Sequence, residues 1–437
     1  MTVPLPYFPY NPTVGFKDAQ RYGSILVDAR FTIYKNGRPT GKVYEANLSV
    51  GTITIDRNAE FRRSGEITIE LLPTIPPPPL LPANPNSPLS PFGAEIFIET
   101  GTSVSGSNIP GQASHIQWLP NGLFTIATST VNDTGVDLTV TLEVYDRSWT
   151  IAQRVLRNPY NFPATSHGYF ADEIQRLLNM VWMEQQGVQP LQYNIVPTSA
   201  KVPQASYDQG SDPWQAALDM ATAVGYELYF NQAGIVVGKP IPNPFATKPI
   251  WNFTDDAVIV QGISGTGSTG FLGDAYSTPI EVSVVQTRNG IYNNIIVQGT
   301  GNANAAVYNG NGLETTPQPL LAAAADTNPN SATYIGGTMG NVPNFVQSSL
   351  VTKAGAQNMA KNDLQVALSS AWVCTLGIAP NPIFDVDNVV TVTRPRVGLN
   401  NANMVLDTIT QVFNYADMQM MTGRILSNTG YSGSVSL

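Results

Sequence analysis

The chain has 437 residues, enough for about three domains and more than one buried core. Only 12% of residues are charged, the net charge is -9, and Lys and Arg never gather into a phosphate-binding stripe, which excludes nucleic acid as the principal ligand. A single cysteine, Cys374, excludes an internal disulfide and a Cys-based zinc site, and no window approaches the roughly eighteen uninterrupted apolar residues of a membrane helix.

The amino-terminal segment MTVPLPYFPYNPTVGF lacks the basic region and unbroken apolar stretch of a signal peptide, which predicts a soluble protein not exported by the ordinary route. From Ser24 to Ser148 the pattern is antiparallel β. Ser24 to Lys35 runs into Asn36-Gly37, the dipeptide that best accepts the two left-handed positions of a tight hairpin. Ile53 and Ile55 alternate with Thr52, Thr54 and Asp56, and Ile67, Ile69 and Leu71 with Glu66, Thr68 and Glu70. Leu138, Val140, Leu142 and Val144 interleave with Thr139, Thr141, Glu143 and Tyr145. Each spacing gives a strand one apolar and one wet face, and such strands at short intervals predict a barrel or sandwich. Among them lies a proline-crowded bridge, residues 73–91. Pro76 to Pro79 lacks backbone donors and favours the extended polyproline form, about 3.1 Å per residue, while Pro82, Pro85, Pro88 and Pro91 continue the stiffness.

After Asp146-Arg147-Ser148-Trp149 the period lengthens from two to that of a helix. Phe170, Ile174, Leu177, Leu178, Val181 and Trp182 form one stripe, closed by Gly187 and Pro190. A second helix opens on Asp212 as N-cap, with Pro213 in its first turn and Gln215 placed to reach back, and ends at Gly225. Glu227 to Phe230 and Ile235 to Val237 then make a short hairpin. From Trp251 the β pattern returns, with strands expected at Ala257 to Ile263, Ile280 to Gln286 and Ile291 to Gln298. The stretch from Gly299 to Phe345, nearly free of charge, reads as an extended insertion. Ser349 to Ser369 reads as a helix with Ala356, Ala360, Leu364 and Leu368 in register, and Val389 to Thr393, Met404 to Thr410 and Met418 to Ser427 as strands. The residues thus predict a mainly β chain: a first barrel over 1–148, a helix-and-hairpin α+β module over 149–240, and a second barrel over 241–300 and 370–437 interrupted by an insertion and helix over 301–369.

The residues offer little chemistry. His115 and His167 are the only histidines, and neither has a second metal ligand four residues on, so a His-based triad or zinc helix is not expected. Gly265, Gly267 and Gly270 match a dinucleotide fingerprint, but Phe271 to Pro279 replaces the anion-binding helix, leaving a loop. Asp255 and Asp256 are adjacent and point to opposite faces of a strand. Asp385 and Asp387 share one side and would suit a calcium ion, yet they lack the glycine and distant glutamate of a calcium loop and read as a turn, as does Asn132-Asp133-Thr134-Gly135. Trp118, Trp149, Trp182, Trp214, Trp251 and Trp372 are scattered as core residues, and Cys374 reads as a small core residue too. No catalytic, cofactor or metal residue is assigned, and no enzyme activity is expected.

Several segments together resemble a known family. SVGTITIDRNAEFRRSGEITIELLP is similar to the first strand pair of tail hub proteins of tailed bacteriophages, with a double-Arg turn at Arg62-Arg63. SPLSPFGAEIFIETG and EVYDRSWTIAQRVL resemble that family's next strand and its exit from the first barrel. DPWQAALDMATAVGYELYFNQAGIVVGKP resembles its helix-and-hairpin module, and YNNIIVQG with NPIFDVDNVVTV its second barrel. The likeness is greatest to minor tail proteins of long-tailed phages of actinobacteria. It implies two tube-like antiparallel β-barrels per chain and a homotrimeric hub at the virion tail tip, assembled in the host cytoplasm. Such a hub adapts a six-fold tail tube or distal tail ring to a three-fold tip. Implied partners are that ring, the carboxyl terminus of the tape-measure protein and downstream tip or fibre proteins, with DNA passing only transiently through the lumen and no membrane insertion. A wall without a basic stripe suits such passage, and threonines such as Thr52, Thr54 and Thr68 can pair across strands or line a channel without charge. The alternatives are a receptor-binding protein that uses the neutral insertion and a tail-tip enzyme that degrades the cell envelope.

Overall fold

In the computed structural model the described residues are 27–45, 48–71, 74, 78–104, 115–163, 168–183, 188–198, 201–202, 205–242, 247–254, 276–277, 279–299, 307–309, 312–314, 320–348, 353–413 and 417–426. The amino-terminal half runs through β1 (Val27–Lys35), β2 (Arg38–Glu45), β3 (Leu48–Asp56), β4 (Arg63–Leu71), β5 (Ala94–Val104), β6 (His115–Asp133) and β7 (Leu138–Asp146). Asn36 (φ 54°) and Gly37 (φ 73°) turn β1 into β2 with Lys35 opposite Arg38, the geometry this dipeptide favours. Alternation sorts the side chains as expected: Ile53, Ile55, Ile67, Ile69, Val140, Leu142 and Val144 are buried, and the intervening threonines keep water contact.

The helical module comprises α1 (Arg147–Ala152), β8 (Tyr160–Phe162), α2 (Phe170–Trp182), β9 (Tyr193–Ile195), β10 (Ala205–Tyr207), α3 (Pro213–Ala223), β11 (Tyr226–Phe230) and β12 (Val236–Pro240). The apolar stripe of α2 packs with Trp214, Ala217 and Met220 of α3 in a core of its own. This helix ends at Trp182, and the Arg154 guanidinium donates to its last carbonyls, Val181 O at 3.3 Å and Trp182 O at 3.1 Å. Asp212 caps α3, accepting from the Trp214 and Gln215 N–H groups. Gln215 does not reach back; its Nε2 donates to Asp219 Oδ1 at 2.8 Å.

The carboxyl-terminal part contains β13 (Trp251–Thr254), β14 (Tyr276–Ser277), β15 (Glu281–Gln286), β16 (Asn294–Gly299), β17 (Val307–Asn309), β18 (Gly312–Glu314), β19 (Leu320–Ala325) and β20 (Pro343–Ser348). It continues with α4 (Lys353–Ser369), β21 (Trp372–Ile378), β22 (Val389–Arg394), β23 (Leu399–Val412) and β24 (Gln419–Leu426). The strand expected at Ala257 to Ile263, the pair Asp255-Asp256 and the glycines 265–270 lie outside the described residues.

One large sheet unites both ends of the chain. Its strands follow the order β14-β13-β22-β23-β3-β4-β7-β6-β5-β1-β2, and a branch from β23 continues through β24 and β21 to β15. The ladder between β23 and β3, Thr408 opposite Asp56 to Val412 opposite Thr52, ties the two halves, and their apolar faces share one core. No pairing among the described residues closes either half into a barrel. Among these residues no helix is long and apolar enough to cross a membrane.

Two sequence expectations change. Pro76 and Pro77 lie outside the described residues; residues 78–93 are not an extended rod but a string of turns, with Leu81 N bonded to Pro78 O, Ser87 N to Asn84 O, Ser90 N to Ser87 O and Gly93 N to Pro91 O. Local side-chain bonds from Asn84, Ser87 and Ser90 stabilise these turns, and fully buried Leu89 anchors them in the core. The stretch read as an extended insertion supplies β19 and β20, which flank β16 on either side. Ala356, Ala360, Leu364 and Leu368 of α4 cover one face of this small sheet. The run Ala322 to Ala325 hides its strand from periodicity because alanine fits both faces; packing under a helix selects it.

Candidate functional site

Within the large sheet, β6, β7, β4, β3, β23, β24, β21 and β15 follow one another as eight antiparallel neighbours. One face of this run is the apolar core. Register places on the other face Thr128 and Thr130 of β6, Thr139, Thr141 and Glu143 of β7, and Glu66, Thr68 and Glu70 of β4. Thr52, Thr54 and Asp56 of β3, Thr408 and Thr410 of β23, Thr422 of β24, Thr375 of β21, and Glu281 and Ser283 of β15 continue it. The one basic residue on this face among the described strands is Arg424 of β24, buried and held by the Asp407 carboxylate through two bonds of 2.7 Å.

Hydroxyl pairs tie neighbouring strands on this face: Thr68 Oγ1 lies 3.2 Å from Thr141 Oγ1, and Thr375 Oγ1 3.2 Å from Thr422 Oγ1. Glu66 stands directly opposite Glu143, whose carboxylate accepts from Thr128 Oγ1 at 2.9 Å and from the Tyr145 hydroxyl at 2.7 Å. That bond to Glu143 raises the Tyr145 hydroxyl above its ordinary pKa. The surface is therefore broad, hydroxyl-rich and weakly acidic. It suits sliding contact with a polyanion, not capture of one.

A buried ionic junction fixes the sheet against the helical module. The turn from β3 to β4 carries Arg57 and Arg62, Arg63 opens β4, and the loop before β22 carries Asp385 and Asp387. Arg63 Nη2 meets Asp385 Oδ2 at 2.6 Å, Arg62 Nη2 meets Asp387 Oδ2 at 2.9 Å, and Arg57 Nε meets Asp387 Oδ1 at 2.9 Å. From the module, Tyr229 offers its ring 3.7 Å from the Arg62 guanidinium carbon, and Lys239 pairs with Glu227 at 2.9 Å. Burial alone would raise Asp387, but Arg62, Arg57 and Lys239 together hold it below the usual carboxylate range. Burial and the nearby Asp387 push Glu227 the other way, against Arg62 and Lys239. The Asp146 carboxylate completes the link: it accepts from Arg63 N at 3.0 Å and from Ser148 N at 2.9 Å, and caps α1. Next to it, Arg147 grips Glu95 of β5 through two bonds of 2.6 and 2.8 Å. An open groove of about 590 Å³ flanks the junction, lined in part by Arg57, Glu60, Trp214, Gln215 and Asp363.

The sequence-singled residues fall as follows. Asp385 and Asp387 form the expected turn, Asp387 at φ 68° and Asn388 N bonded to Asp385 O, but arginines occupy the carboxylates that spacing offered to calcium. Asn132 to Gly135 is a hairpin turn, with Gly135 N donating to Asp133 Oδ1. His115 begins β6, and His167 lies outside the described residues. Cys374 is buried in the large core, where burial raises its thiol to about 12. Among the described residues no three His, Cys, Asp or Glu side chains gather as a metal site. The junction escaped sequence reading because its partners are far apart in the chain; the one signal was the paired charge of Arg62-Arg63.

No protein-family model and no curated protein matches the chain. Solved structures do. The tail protein from Neisseria meningitidis MC58 matches with TM-score 0.56 at 11% identity, over 92% of this chain and 97% of that one. The 43 kDa tail protein of prophage MuSo2 from Shewanella oneidensis matches with TM-score 0.53 at 11% identity, over 91% of this chain and 98% of that one. The chain therefore has the fold of tail proteins over nearly its whole length.

Proposed function

We propose that this chain is a structural component of a bacteriophage tail: a hub at the tail tip, homotrimeric, whose two tube-like β domains adapt a six-fold tube or distal tail ring to a three-fold tip. Its hydroxyl-rich sheet face lines the path of the ejected DNA. The observation that carries this reading is the continuous eight-stranded run with one apolar face and one face whose single described cation, Arg424, is buried and paired with Asp407. A conduit wall needs those two properties together: a packed back to keep its shape and a front that does not retain phosphates. The fold shared with tail proteins supports it. The tape-measure carboxyl terminus and downstream tip or fibre proteins are the partners this role requires, and it assigns the chain no reaction.

The test is the mass of the purified full chain by light scattering, with negative-stain images of the same sample. Three chain masses and a three-fold ring are expected; a single-chain mass at every concentration would overturn the reading. A second role, adhesion, is favoured by the bare face of the small sheet, where Leu321 is 60% and Phe345 65% exposed. Loss of binding to host cells in the Leu321→Ser, Phe345→Ser double variant would support it; unchanged binding would remove it.

A further inference from the structure

The long strands β6 and β23 are built alike, down to their register. Each pairs first with an outer strand, β5 or β22, and then with an inner strand, β7 or β24. Each slips against its outer strand just before one residue, Gly122 or Ala402, and against its inner strand just after another, Ile126 or Leu406. The step from Gly122 to Ile126 equals that from Ala402 to Leu406, and both Ile126 and Leu406 are fully buried. Aligning these anchors makes Thr128 equivalent to Thr408, β7 to β24, β4 to β21 and β3 to β15. The outer ends differ, since β1 runs antiparallel to β5 whereas β13 runs parallel to β22.

The equivalence leaves one joint unmade. Residues Thr408 to Val412 of β23 use their second edge to bind β3, the joint between the two halves. The matching residues Thr128 to Asn132 of β6 have no strand on that edge among the described residues, and β15, the counterpart of β3, pairs only with β21. These two edges end the eight-stranded run. Because its strands alternate in direction, the end strands run opposite ways and suit one another as antiparallel neighbours. Neither bears the proline or lysine that commonly guards an exposed edge. Edge strand β2, by contrast, carries Pro39 and Lys42, while β6 beyond Ile126 and β15 hold no proline, lysine or arginine. Val131 and Val285 are left 42% and 54% exposed on the open edges.

We propose that β6 of one copy binds β15 of a second copy in the register that β23 and β3 use within the chain. Thr128 then faces Thr287 of the second copy, Thr130 faces Val285, Val131 faces Val284, and Asn132 faces Ser283. The contact is heterologous, so it propagates until rotation closes it. This inference rests on the ring reading above and names its seam: each ring would alternate the joint already present in the chain with its intermolecular copy.

The experiment is disulfide trapping in a Cys374→Ala background. Oxidation of the Val131→Cys, Val284→Cys double variant should give covalent dimers and trimers on a denaturing gel without reductant, while the out-of-register pair Val131→Cys, Gln286→Cys gives few. An equal mixture of the two single variants, Val131→Cys and Val284→Cys, should stop at dimers. A ladder beyond trimers would support the seam and place it in an open filament. A particle of three chain masses that fails to cross-link would overturn the seam and leave the ring reading standing. A single-chain mass with no cross-link would overturn both.

Discussion

Asp387 is the residue on which the ionic junction turns, because it is ion-paired with both Arg57 and Arg62 and is almost fully buried. Asp387→Asn would leave two guanidiniums short of a counter-charge in a poorly solvated place, and a loss of about 3 kcal/mol is expected in denaturant unfolding. Asp385→Asn should cost less, since that side chain is 20% exposed. The native pKa of Asp387 lies below its ordinary value near 3.8, so its contribution is present above that pH and lost as the pH falls through the lower, native value. Asp363 behaves oppositely. Burial raises it to about 6, so its protonated form is favoured in the folded state and the associated stability is lost as pH rises through about 6. Asp363→Asn is therefore expected to raise the melting temperature at pH 8, by the equivalent of about 1–2 kcal/mol after solvent screening, and to change little near pH 3.5. An equal gain at both pH values would contradict this assignment.

At the scale of elements, the connector before β5 works as a plug. Leu89 sits in the core with no exposure, so Leu89→Ala should destabilise by about 2–4 kcal/mol in thermal or denaturant unfolding. Phe92→Ser, at a mostly exposed position, should stay within about 0.5 kcal/mol. Much at this scale was legible in the sequence. Alternation located β3, β4 and β7, a helical stripe located α2, and Asn36-Gly37 located a hairpin, because each is written in neighbouring residues. The rest depends on partners far along the chain. Nothing near Thr408 announces that β23 will lie beside β3, and nothing near Arg63 names Asp385, 322 residues away. Periodicity reports which face of a strand is wet; it does not report which strand lies alongside. The hydroxyl-rich face was thus visible in fragments, as single threonines, while its continuity across eight strands emerged only from the pairing.

At the scale of the whole molecule, the proposed role makes the chain a wall segment whose back is one shared core and whose front carries carboxylates and hydroxyls. A front of this kind should release DNA. The assembled wild type is expected to show no retention of duplex DNA in a filter assay, whereas Thr68→Arg, Thr141→Arg and Thr375→Arg together should produce retention that falls steeply as salt rises. Retention by the wild type would argue for a DNA-holding surface. The most direct measurement of the account is a reconstruction of the assembled full chain by electron cryomicroscopy. It should show three copies around a channel, each giving its eight-stranded run to one common wall, with Thr68, Thr141, Thr375 and Thr422 facing the lumen. A two-fold dimer, or a ring whose hydroxyl-rich faces point outward, would contradict it.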